Sequence, residues 1–172
     1  SQEEMRLNVI KKTPSVTPRP LPAIQSAVNS RVILGELEYI YLSPPDIKLA
    51  ARIDTGAKTS SLNALDLTEF ERDGKAHVRF NLIDPKTKKK IEVVRRVMQH
   101  VRIKEHEGDS VSRPVVQMRV RLGNLDQHIK MTLTDRSDFK NQVLIGRNFL
   151  RDFATVDVSQ KFLTQPVITP NQ

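Results

Sequence analysis

With 172 residues, 38% of them hydrophobic, the chain is long enough for one domain with a substantial core. No apolar run approaches the roughly 20 residues of a membrane span. There is no Cys, which excludes disulfides, thiol chemistry and Cys-bound metal, and the net charge of +8 would suit an anionic partner. Aromatics make up only 5% and Trp is absent, too little for the stacking platforms of a single-strand binder, so no dedicated nucleic-acid site is expected.

Residues 1–30 read as a flexible N-terminal tail. Pro14, Pro18, Pro20 and Pro22 fall close together, and proline fixes φ and lacks a donor, which favours an extended spacer. The first residue is Ser, which leaves room for a leader upstream, and a membrane tether through this tail fits an exported or periplasmic protein somewhat better than a cytoplasmic one. The domain proper is expected over 31–165, with a short tail at 166–172.

From Val32 the pattern turns to strands. Val32–Leu34 leads into Leu37, Tyr39 and Tyr41, then a turn at Ser43-Pro44-Pro45-Asp46, then Ile47, Leu49, Ala51 and Ile53 running directly into Asp54. Val78, Phe80 and Leu82 alternate with polar residues up to a turn at Asp84–Thr87, and Ile91, Val93 and Val94 complete a hairpin. Val101 and Ile103 enter a polar stretch, Lys104–Arg113. Val116–Leu122 and Ile129–Leu133 flank a turn at Gly123-Asn124. Val143-Leu144-Ile145 ends at Gly146, a short helix is expected over Asn148–Phe153, and a last strand over Thr155–Phe162. Many short strands at regular spacing and one short helix predict an all-β closed barrel. Lys86, Lys88, Lys89 and Lys90 cluster at a hairpin turn, where a solvated loop accounts for them.

Arg52-Ile53-Asp54-Thr55-Gly56-Ala57-Lys58-Thr59-Ser60 carries the chemistry. A strand delivers a carboxyl group to a tight corner, Gly56 permits the sharp turn, and Thr55 offers a hydroxyl that can brace it. Taken alone, Asp-Thr-Gly also suits an ordinary β-turn. The second feature is Leu144-Ile145-Gly146-Arg147-Asn148-Phe149-Leu150, an apolar strand that ends at glycine.

On these two motifs, in this order, the chain resembles the retropepsins, the dimeric aspartic proteases of retroviruses and their cellular relatives, over roughly Ile47–Phe162. More closely, it resembles a bacterial group of retropepsin-like proteins, through Ala51–Ser61 and Leu133-Thr134-Asp135-Arg136-Ser137. The resemblance implies a catalytic Asp54, with Thr55, Gly56, Ala57, Leu144, Ile145 and Gly146 supporting the active loop: Thr55 across a dimer axis, the backbone near Gly56 against substrate, Leu144–Gly146 from behind. Members of the bacterial group often carry the label ATP-dependent zinc protease. His77, His100, His106 and His128 have no zinc-site spacing and the chain has no Gly-x-x-x-x-Gly-Lys-Ser/Thr loop, so no cofactor and no metal is expected. The sequence departs from the viral pattern at Lys58, where those enzymes carry an acidic partner for the Arg of Gly-Arg-Asn, which leaves Arg147 without that partner. Arg52 stands where an apolar residue is usual. The stretch from Asp54 to Gly146 is longer, with room for the Val78–Val94 hairpin. A substrate-covering flap would have its tip within Lys104–Ser112, around Gly108.

Hydrolysis of a peptide by carboxyl groups needs a base for the water and an acid for the carbonyl, which two aspartates sharing one proton supply. Asp135 and Asp157 lack a following Thr/Ser-Gly, so the second carboxyl is expected from another copy of the chain. The expected function is an aspartic endopeptidase acting, as a homodimer, on extended peptides or unfolded protein. The alternative is a non-catalytic module of the same fold that docks a ribosomal or other acidic partner through its basic surface.

Overall fold

Alternation of buried and exposed residues builds most of the strands of the computed structural model, which describes residues 31–104, 108–135 and 140–167. In chain order these are β1 (Val32–Leu34), β2 (Leu37–Ser43), β3 (Ile47–Ile53), β4 (Ser60–Asn63), β5 (Leu65–Arg72), β6 (Lys75–Ile83), β7 (Lys90–Arg96), β8 (Gln99–Lys104), β9 (Ser110–Leu122), β10 (Leu125–Thr134), β11 (Val143–Ile145), the helix α1 (Arg147–Leu150) and β12 (Ala154–Val156). The N-terminal tail and residues 105–107, part of the Lys104–Ser112 stretch expected to hold the flap tip, lie outside the described residues.

Six strands close a barrel in the order β10-β4-β11-β3-β2-β9, with β9 pairing back onto β10. Its interior is filled by inward residues such as Ile40, Leu49, Leu62, Met118, Met131 and Ile145, all at most 2% exposed. Each large apolar side chain removed from water in this way contributes about 1.5–3 kcal/mol. The short β11 sits between β3 and β4, parallel to the first and antiparallel to the second, with Ile145 opposite Ile53. That register puts the ends of β3 and β11, and therefore Asp54 and Gly146, side by side.

β9 is longer than the barrel needs. Its first half leaves the barrel and pairs with β8, Lys104 opposite Ser110 and Gln99 opposite Val115, to form a projecting hairpin. A separate three-stranded sheet, β5-β6-β7, packs beside the barrel and adds Val78, Phe80, Leu82 and Val93 to the core. It also braces the hairpin's base, through His100 Nε2 to Glu69 Oε1 at 2.5 Å and Val97 N–H to Ala76 O at 2.9 Å.

The structure corrects the sequence reading in three places. β4 and β5 were not expected. The inward positions of β4 include Ser60, and a register shift between Leu65 and Thr68 breaks the alternation of β5. The helix is Arg147–Leu150, starting one residue earlier and stopping three sooner than expected. The last strand is Ala154–Val156, paired with β1, instead of Thr155–Phe162. Asp157 ends it by accepting both the N–H (3.0 Å) and the hydroxyl (2.6 Å) of Ser159, bonds that also hold its carboxyl below the usual range, and Phe162 sits at φ +52°.

Beyond Asp157 the chain forms a strap against the barrel. Gln160 O accepts from Glu36 N–H at 2.8 Å, Phe162 N–H donates to Leu37 O at 2.8 Å and Val167 N–H to Gly123 O at 2.9 Å. Gly35 has no room for a side chain, because a Cβ there would lie 2.5 Å from Gln160 O. The strap's anchor is Glu38, which is fully buried. One carboxyl oxygen accepts from Thr164 N–H (2.8 Å) and Thr164 Oγ1 (3.1 Å), and the other from Leu163 N–H (2.9 Å) and Gly35 N–H (3.1 Å). A Glu38→Gln substitution keeps the shape but turns an NH2 group toward two of these donors. A loss of about 2–3 kcal/mol in urea unfolding is expected, as for buried donors left unsatisfied. Unchanged stability would mean that water replaces the carboxyl oxygen without loss.

Arg119 grips Asp126 across the β9–β10 ladder with two bonds, Nε to Oδ1 at 2.9 Å and Nη2 to Oδ2 at 2.6 Å. The hydrogen bond from Arg119 holds the Asp126 carboxyl below its ordinary range. A depressed carboxyl stabilises the fold above the unfolded-state pKa of about 4 and stops doing so as pH falls through its folded value. Arg119→Met is therefore expected to lower stability at pH 6, with the gap to wild type closing in acid. A gap independent of pH would assign the loss to packing.

Candidate functional site

Asp54 stands where β3 leaves the barrel. Its N–H donates to Ile145 O at 2.9 Å, so β11 holds the backbone of this corner directly. The turn then closes on itself: Gly56 N–H donates to Asp54 Oδ1 at 2.8 Å, and Ala57 N–H to Asp54 O at 3.4 Å. The first of these bonds fixes the carboxyl group while Thr55 and Gly56 remain exposed on the outer side of the corner.

From behind, the loop is held by the β11–α1 junction. Arg147 N–H donates to Ala57 O at 2.8 Å, and Arg147 Nη1 to Thr55 O at 3.0 Å. Arg147 thus holds the loop through a main-chain carbonyl, with exposed Lys58 in the place of the acidic residue of the viral pattern. Gly146 N–H donates to Ser60 Oγ at 3.0 Å, Ser60 Oγ donates to Asn148 Oδ1 at 2.6 Å, and Asn148 Nδ2 donates to Lys130 O at 2.9 Å. This chain of bonds ties β4, α1 and β10 together behind the carboxyl. Sequence reasoning gave Ser60, Arg147 and Asn148 no role. Their place in the two motifs was the signal, and the buried hydroxyl at Ser60 completes it.

Of the predicted residues, Asp54, Gly56, Ala57 and Leu144 line one cavity of about 630 Å³ together with Thr59, Ser61, Thr132 and Thr134. Val101 and Ile103 of the projecting hairpin also line it, so β8 overhangs the carboxyl. Ile145 and Gly146 are buried behind the corner, and Thr55 lies outside the cavity. Among the described residues no group of three or more His, Asp or Glu is placed to hold a metal ion. His77 stacks on Phe70 and bonds Lys75 O, and His100 bonds Glu69, while His106 lies outside the described residues. Among the described residues the donor set does not fit a zinc centre.

A closed barrel that presents one Asp-Thr-Gly corner, locked by a glycine-ended strand and overhung by a hairpin, defines a retropepsin-like domain. Residues 33–166 match the RimB-like family, described as "Retropepsin-like aspartic endopeptidase RimB", and the chain belongs to that family. A crystal structure of a Legionella pneumophila protein of unknown function (DUF785) is similar, with a TM-score of 0.68 and 32% identity over 79% of this chain and 100% of that one. Curated relatives named "Probable alpha-L-glutamate ligase" include one from Shewanella pealeana, 32% identical over 78% of this chain and 30% of its own length. Another, from Desulfotalea psychrophila, is 34% identical over 74% of this chain and 28% of its own length. The chain therefore spans less than a third of the curated relatives it matches.

Proposed function

We propose that the chain is an aspartic endopeptidase whose active site is completed by a second copy of itself. The observation that carries this reading is the Asp54 corner: a carboxyl group oriented by Gly56 N–H, locked from behind, and opening into a cavity beneath a hairpin. Each chain supplies one such carboxyl. Two of them about 3 Å apart hold a single proton between them, since both do not readily ionise together. The ionised group takes a proton from water as the water oxygen attacks the peptide carbonyl, and the protonated group donates to the carbonyl oxygen. When the C–N bond breaks, the proton passes to the leaving amine. An extended peptide suits a cavity walled by strands and a hairpin, where main-chain groups can pair.

The ligase name belongs to chains of which at least 70% lies outside the matched region, and it does not transfer to this domain. The test is a statine-type mimic of the tetrahedral intermediate. Peptide hydrolysis that it inhibits at one molecule per two chains, and that a chelator leaves untouched, supports the reading. Inhibition by the chelator alone rejects it, and a stoichiometry of one per chain rejects the shared site.

A further inference from the structure

The hairpin that overhangs Asp54 projects from the barrel as two strands, β8 and the first half of β9, paired from Gln99 opposite Val115 to Lys104 opposite Ser110. A two-stranded hairpin is marginal in water on its own, so its position has to be fixed from outside. Side chains alternate along a strand. Val101 and Ile103 line the Asp54 cavity, which puts His100 and Arg102 on the opposite face of β8, away from the carboxyl.

The three-stranded sheet reaches both strands of the hairpin. On β8, His100 bonds Glu69 of β5 from that far face. On β9, Gln117 O accepts two bonds from the Arg95 guanidinium of β7, Nε at 3.0 Å and Nη2 at 2.7 Å. Gln117 lies two residues past Val115, where the ladder with β8 ends, and is already paired with Lys130 of β10. Arg95 therefore grips β9 at the foot of the hairpin, where it enters the barrel. Lys130 ties the same region to the corner below. Its Nζ donates to Gln99 Oε1 at 3.3 Å, and its carbonyl accepts from Asn148 in the chain of bonds behind Asp54. Glu69, Arg95 and His100 do not line the Asp54 cavity.

We infer that the β5–β6–β7 sheet is a buttress that sets how closely the hairpin overhangs Asp54, with Glu69, His100 and Arg95 as positioning residues that act on substrate through Val101 and Ile103. The inference rests on the peptidase reading for what the hairpin covers, and on these contacts for how it is held. The barrel closes without the three strands, so much of the extra length between Asp54 and Gly146 goes into a sheet whose inner face fills the core and whose polar side chains hold the hairpin.

The test uses a peptide carrying a cleavage site mapped from digestion of an unfolded protein. Glu69→Ala is expected to raise KM about threefold, as for an exposed pair, and Arg95→Met about fivefold, as for a charged group that loses two hydrogen bonds. In both, kcat should stay within about twofold of wild type, because a displaced overhang loosens ground state and transition state alike. Glu69→Gln, whose Oε1 can still accept from His100, is expected to bring KM back near wild type. In a Val101→Ala/Ile103→Ala background, Glu69→Ala and Arg95→Met should change KM by less than about twofold, since their effect passes through those two side chains. Effects that persist in that background, or losses in kcat that follow urea stability, assign the sheet to folding alone and overturn the inference. If wild type cleaves no peptide, amide hydrogen exchange separates the two readings. Exchange about fivefold faster over residues 99–104 in Arg95→Met, with β2 and β3 protected as in wild type, keeps the buttress while the peptidase reading falls. Unchanged exchange over 99–104 overturns the buttress as well.

Discussion

Asp54→Asn is expected to abolish peptide release from an unfolded protein, read by mass spectrometry between mildly acidic and neutral pH, with kcat lower by about 10³-fold or more. The size follows from the proposed shared proton. An amide can neither take a proton from water nor give one to the carbonyl, and in the proposed homodimer the substitution removes both members of the pair. Asn is the informative replacement because its Oδ1 can still accept the Gly56 N–H that shapes the turn, so the corner and the fold should survive. Full activity in the mutant would reduce Asp54 to a turn residue. Lost activity with lost folding would point to the Gly56 bond as its main role, and Asp54→Ser would then separate chemistry from turn geometry.

The core of this site was legible because it is written in residue types with few other uses. A strand ending in Asp-Thr-Gly and a second apolar strand ending in Gly announce a sharp, crowded corner, and the structure places Asp54 and Gly146 at adjacent strand ends. What braces the corner was harder to see. Lys58 removed the expected carboxylate partner of Arg147, and the acceptor that serves instead is the main-chain carbonyl of Thr55. Every residue has such a carbonyl, so no sequence pattern marks it. Ser60 was missed for a related reason, since a serine on a strand usually faces water, and only its fully buried position shows that its hydroxyl joins Gly146 to Asn148.

The same distinction runs through the fold. The β6–β7 and β9–β10 hairpins alternate regularly around clear turns, and the structure has both. β5 does not alternate, because a register shift near Leu65 moves its side chains out of phase. The strap beyond Asp157 resembles a strand in composition, yet it is held by a buried glutamate on β2, more than a hundred residues away in the sequence. The lysines at the β6–β7 turn are all exposed, as expected of a solvated loop, and Lys86 and Lys88 also line a cavity with Lys140.

Gly146→Ala should separate the bracing of the site from its chemistry. A Cβ at this position would lie 2.2 Å from Thr59 O and 2.8 Å from Ala57 O, both backbone atoms of the loop that carries Asp54. Backbone cannot rotate aside as a side-chain end can, so the loop itself must move, by about 1 Å to reach ordinary contact. A displacement of that size at reacting groups costs about 10²-fold in rate. The overpacking itself should cost about 1–3 kcal/mol in stability. The expected result is a protein that still folds, measured by denaturant unfolding, with kcat/KM about 10²-fold down and the Arg147–Thr55 contact broken. Equal losses in Gly146→Ala and in Glu38→Gln, which perturbs the distant strap, would mean that activity follows global stability. A large loss of activity confined to Gly146→Ala would show that the β11–α1 junction sets the position of the proposed catalytic carboxyl.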